Sequence, residues 1–111
     1  MIGRQTGLEL RELIEKARNP HTTVWPICMI LNEIGEICAK NDGLAQEGED
    51  FLVKTLDSLD IQHRAIAFSF LSLICKKTQR HSQLLADFRS KPNNAKAVEM
   101  VDARMEELEI V

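Results

Sequence analysis

The chain contains no tyrosine and a single tryptophan, and aromatic residues make up only 5% of it. Sheets draw on aromatic and β-branched residues, whereas the aliphatic residues here are mostly leucine, isoleucine and alanine, a mixture that favours helix. Little or no strand is expected. Cysteine is scarce as well. Cys28, Cys38 and Cys75 are odd in number, sit in apolar stretches and form no Cys-x-x-Cys pair, which argues against a disulfide framework and for a reducing compartment. No apolar run reaches the roughly 18 to 20 residues that span a bilayer, and the N-terminus lacks a charged-then-apolar leader pattern. A cytoplasmic protein with no membrane partner is the expectation.

The groupings that carry most enzyme chemistry are missing too. His21, His63 and His81 stand apart, with no His-x-x-x-His or Glu-x-x-His spacing that would set two ligands on one helix face, so no metal is expected. The five glycines are scattered and no Gly-x-x-x-x-Gly-Lys string is present, which excludes a phosphate cradle of that kind and leaves no cofactor to expect. Cys28 and Cys38 lie among aliphatic residues. Only Cys75, just before Lys76 and Lys77, has the neighbouring cations that activate a thiol. Glu33 and Glu36 share a helix face, but an exposed carboxylate pair without a cleft solubilises more readily than it catalyses. The sequence therefore predicts a protein that is not an enzyme.

What the chain does have is apolar material, 44% of 111 residues, enough for one domain with one core and no staples. Ile61 to Cys75 is its centre. At 100° per residue, Ala67, Leu71 and Ile74 fall together, Phe70 flanks them, and Phe68 and Cys75 extend the apolar surface. Only a narrow stripe of Gln62, Ala65, Ser69, Ser72 and Lys76 is left over. Such a helix must be covered on several sides, and the remaining segments supply the cover.

Thr6-Gly7-Leu8-Glu9 fits a capping box, so a first helix is expected to begin near Gly7, burying Leu10, Leu13, Ile14 and Ala17 and ending at Asn19-Pro20. A second helix starts at Thr22 or Thr23, with Pro26 in its first turn, where a missing N–H costs nothing. Ile27, Leu31, Ile34 and Cys38 form its inner face, and Trp25, Met29, Asn32, Glu33, Glu36 and Lys40 its outer stripe. Asn41-Asp42-Gly43 is a turn signal, with Asn or Gly suited to positive φ. The third helix runs from about Leu44 to Leu56, with Leu44, Phe51, Leu52, Leu56 and Leu59 inward and Glu47, Glu49 and Asp50 in its N-terminal half, where negative charge suits the dipole. Gly48 weakens it or permits a close contact. Ser58 or Asp60 caps the central helix. A fifth helix carries Leu84, Leu85 and Phe88 and closes at Pro92. Asn93 or Asn94 caps a sixth, with Val98, Val101, Met105 and Leu108 as its seam and fraying from about Glu107.

These six helices group into three antiparallel pairs, 7 to 39, 43 to 76 and 80 to 110. Shifting the chain by 40 residues superposes Ile27, Leu31 and Ile34 on Ala67, Leu71 and Ile74. The segment Asp60-Ile61-Gln62-His63-Arg64-Ala65-Ile66-Ala67, continued by Leu71 and Ile74, resembles the second helix of HEAT-like helical repeats over residues 7 to 77. The first pair departs from that pattern, with His21 in place of the Asp and Val24 or Trp25 in place of the Arg. The resemblance implies an all-α, right-handed superhelical stack of helix pairs that binds other macromolecules, with a compact helical bundle as the alternative architecture.

Charge is segregated along the chain. Residues 1–60 carry six Lys or Arg against eleven Asp or Glu, 61–98 seven against one, and 99–111 one against five. Two readings follow. A protein-interaction module, binding another protein or itself, would use Trp25 and Met29 as apolar anchors with Glu33 and Glu36 as a charged rim. An antitoxin or immunity-type inhibitor is a variant of it. A nucleic-acid or polyanion binder would use Lys76, Lys77, Arg80, Arg89, Lys91 and Lys96, placed so that they share one end of the molecule.

Overall fold

A computed structural model describes residues 4–19, 21–41 and 46–110, with side chains described for all of these except 4–8, 24–25 and 105–110. Among the described residues the chain is all-α. Its helices are α1 (Arg4–Arg18), α2 (Val24–Lys40), α3 (Gln46–Thr55), α4 (Ile61–Thr78), α5 (Ser82–Ser90) and α6 (Ala95–Ile110), with a 3-10 turn at Pro92–Asn94. The expectations at Asp42, Gly43, Leu44, Pro20 and the Met105 and Leu108 side chains lie outside the described residues.

α4 is the centre of the fold, as its apolar circumference requires. It packs against α2, α3, α5 and α6. Ala67, Phe68 and Leu71 are fully buried and Ile74 nearly so, joined by Leu31 and Ile34 of α2 and Leu52 of α3. Phe68 stacks on Phe88 of α5 with centroids 4.7 Å apart. Asp60 starts the helix, its carboxylate accepting from the Gln62 and His63 amides at 2.8 and 3.3 Å. Gln79 ends it in the left-handed region at φ 63°, its N–H donating to the Cys75 carbonyl.

α2 and α4 lie side by side and run the same way. Near their starts the Cys28 thiol donates to Gln62 Oε1 at 3.7 Å. At their middles Gly35 lies on the Phe70 ring. Near their ends Lys77 Nζ donates to the Ala39 carbonyl at 3.4 Å. Gly35 is the point of closest approach, because a Cβ there would overlap the Phe70 ring. Gly35→Ala should therefore cost about 1 to 3 kcal/mol of overpacking, outweighing the up to about 1 kcal/mol that alanine gains over glycine in a helix. Urea titration checks the sign, and a net gain would mean that Phe70 swings aside freely. Gly48 of α3 is the second close contact, a Cβ there standing 2.6 Å from Cys38 Sγ.

Several local expectations are corrected. α1 begins at Arg4, so Thr6 lies within the helix and does not cap it; Arg4 and Gln5 are themselves adequate helix formers. Thr23 precedes α2 without a side-chain cap. Asn41 ends α2 at φ −106°, its side-chain amide donating to the Ile37 carbonyl, so no positive φ is needed there. Leu59 is fully solvent-exposed and no part of α3's inner face, because the helix stops at Thr55 and the chain turns before it. Asn94 is buried and spends its amide on the Phe88 carbonyl at 3.2 Å, closing α5 where α6 begins.

Candidate functional site

The stripe that the sequence leaves uncovered on α4 becomes the floor of a groove. Gln62, Ala65, Ile66 and Ser69 of α4 lie between Cys28, Met29 and Asn32 of α2 and Met100, Val101 and Arg104 of α6, enclosing about 440 Å³. Small residues in the floor make the depression: Ala65 and Ser69 leave room that a leucine would fill. Met29 is 57% exposed and Met100 51%, so each wall presents a flexible, polarizable side chain to solvent. Chemistry in the groove is sparse. Burial first, and Asp60 second, push the Cys28 thiol above its ordinary pKa, and it donates to Gln62, which leaves it a poor nucleophile.

Glu33 and Glu36 are exposed on the outer side of α2, as expected. They lie one and two turns beyond Met29, outside the lining of the groove. The side chain of Trp25 lies outside those described. Met100 and Arg104, which complete the groove, escape a reading of the sequence that treats α6 as a single apolar seam. Their spacing of four residues on the flank of that seam is the signal.

The basic residues do not share one end. Lys76 and Lys77 are exposed in the last turn of α4. α5 then carries the chain back over 9 residues, about 13 Å. Lys91 and Lys96 consequently lie toward the start of α4, where the Arg64 guanidinium donates to the Asn93 carbonyl at 3.3 Å. Arg89 and Arg80 are held by carboxylates of the same chain, and Lys77 reaches the Ala39 carbonyl. Arg89 pairs with both carboxylate oxygens of Asp102 at 2.9 and 3.1 Å, which raises its pKa further, and lies over the Phe68 ring. Arg80 Nη2 donates to Glu49 Oε1, which also meets His81 Nε2 at 2.9 Å.

Glu49 is the second departure. It sits in α3's first turn as expected, yet it is completely buried. The turn that meets it carries two left-handed residues, Gln79 and His81, at φ 63° and 67°. Among the described residues no three His, Cys, Asp or Glu side chains come together as a metal site. Cys38 adjoins this carboxylate, and burial, reinforced by the Glu49 charge, pushes its thiol from 9.0 to about 12. The unfolded chain then ionises Cys38 from about pH 9 while the native one holds its proton, so stability is lost as pH rises from 9 toward 12. Thermal melts across that range should fall less steeply in Cys38→Ala than in the wild type. Equal slopes would show that the thiol is open to water.

No protein-family model matches this chain, and comparison with curated proteins and with solved structures finds no match. The groove and its surroundings therefore carry the functional argument.

Proposed function

We propose that this chain is a non-catalytic protein–protein interaction module, a short stack of HEAT-like helix pairs that receives its partner on the face made by α2, α4 and α6. The groove flanked by Met29 and Met100 carries this reading. Exposed methionines on either side of a small-residue floor can repack around an apolar side chain, the property that adaptable binding surfaces use. A stacked architecture is supported by α4 lying between α2 and α6, with α1 against α3 behind them. Successive second helices in such a stack form one continuous surface.

Polyanion binding draws less support. Its six cations are divided between two ends of α4, and Arg80 and Arg89 are held by Glu49 and Asp102. Phosphate neutralisation needs several cations along one track.

Affinity capture at low and high salt with wild type, Met29→Glu and Met100→Glu separates the two. The expected result is a protein partner retained at high salt and lost in both variants, with circular dichroism and melting unchanged. Nucleic acid recovered only at low salt, and lost on neutralising Lys76 and Lys77, would overturn it.

A further inference from the structure

The face that holds the groove is divided in charge. Its α2 edge carries Glu33 and Glu36, its α6 edge carries Arg104, and all three are exposed. The helix register decides what this division can do. Between α2 and α4, Cys28 stands at Gln62, Gly35 at Phe70 and Ala39 at Lys77. Glu33 and Glu36 therefore lie level with the stretch of α4 around Phe68 to Leu71. On the other side, the Arg89 guanidinium lies 5.1 Å from the Phe68 centroid and pairs with Asp102, two residues before Arg104 of the groove lining. Acidic and basic edges are thus at one height along α4. Met29 and Met100 each stand four residues before the charges of their edge, Glu33 and Arg104, so level charges bring the two methionines level as well.

We infer that the occupant of this face is a second copy of the same chain, docked about a two-fold axis that runs parallel to α4. This rests on the reading of the groove as a protein-docking surface and names its partner. Such an axis reverses the face from edge to edge while keeping every height. It lays α2 on α6 of the second copy, Met29 on its Met100, and Glu33 and Glu36 opposite its Arg104, each contact being made twice, as an isologous interface requires. The two floors, lined by Ala65 and Ser69, then face each other across the space that the Met29 and Met100 side chains of both copies fill. The alternative axis, across the helices, would set α2 on α2 and α6 on α6, so neither Glu33 nor Glu36 would meet Arg104 and the charge complementarity of the two edges would be lost.

The test is sedimentation equilibrium of the full chain over a wide concentration range, joined to cysteine cross-linking in a background carrying Cys28→Ser and Cys75→Ser. A reversible dimer is expected. Arg104→Glu should weaken it at least about tenfold, and adding Glu33→Lys with Glu36→Lys should restore it. Under mild oxidation, Met29→Cys mixed with Met100→Cys should give a linked dimer, and neither variant alone should. A protein that stays monomeric at every concentration overturns the inference. So does a dimer indifferent to Arg104→Glu, or one in which Met29→Cys links to itself. A monomer that still captures a different protein through Met29 would overturn self-association alone. A monomer whose capture ignores Met29 and Met100 would overturn the docking surface with it.

Discussion

Replacing Arg80 with methionine is expected to remove about 3 to 5 kcal/mol of stability, because it strands a buried carboxylate. Glu49 has no exposed surface, its Oε1 is shared by Arg80 and His81, and its Oε2 has no hydrogen-bond partner among the described residues. Arg80 is different, with 37% of its side chain exposed, so much of its charge stays hydrated. The pair is consequently asymmetric. Losing the arginine leaves the buried carboxylate with His81 as its remaining partner, whereas losing the carboxylate leaves an arginine that can turn to water. Arg80→Met combined with Glu49→Met should therefore be more stable than Arg80→Met alone, since an apolar side chain of similar length removes the stranded charge. Urea denaturation of the two single variants and the double variant measures this coupling. Losses that simply add would show that Glu49 does not depend on Arg80.

Leu71→Ala should cost about 2 to 5 kcal/mol. Leu71 is fully buried at the middle of α4, between the Phe68 layer and Ile74, where the surrounding helices cannot all collapse into the space left behind. The midpoint of urea unfolding should fall with no change in its slope, the signature of lost stability without a changed unfolded state. A loss under about 0.5 kcal/mol would mean that this side of α4 faces solvent, since exposed positions rarely cost more. Met100→Ala, on the half-exposed groove wall, supplies that contrast in the same experiment.

The central helix was legible because fifteen residues of nearly continuous apolar surface leave a stripe too narrow to be a solvent face. The same logic located the floor of the groove without naming it: Gln62, Ala65 and Ser69 were the residues left over. Met29 was visible as an apolar side chain among carboxylates. Met100 and Arg104 were not, because α6 is short of strong apolar residues and its two flanks look alike until α4 is seen to cover Ala97 and Val101. Glu49 was illegible for another reason. A glutamate in a first helical turn has a sufficient local explanation in the helix dipole, and its burial is set by Arg80, 31 positions away in the chain. The basic residues were misjudged through geometry: charges adjacent in sequence were separated by the length of α5.

The dependence of every neighbour on α4 has a consequence for how the molecule opens. α1, α2 and α3 contact one another and α5 and α6 contact one another, yet the main connection between the two groups is α4 itself. Cooperativity should therefore be carried through a single spine, with amide protons exchanging slowest along the middle of α4. The α5–α6 segment can detach as a unit while the first three helices stay packed, and the bond from Glu49 to the turn before α5 is the latch on that movement. Because α6 forms one wall of the groove, every such opening also dismantles the groove. The lifetime of the groove is then expected to follow a sub-global opening, which takes less free energy than unfolding the whole chain.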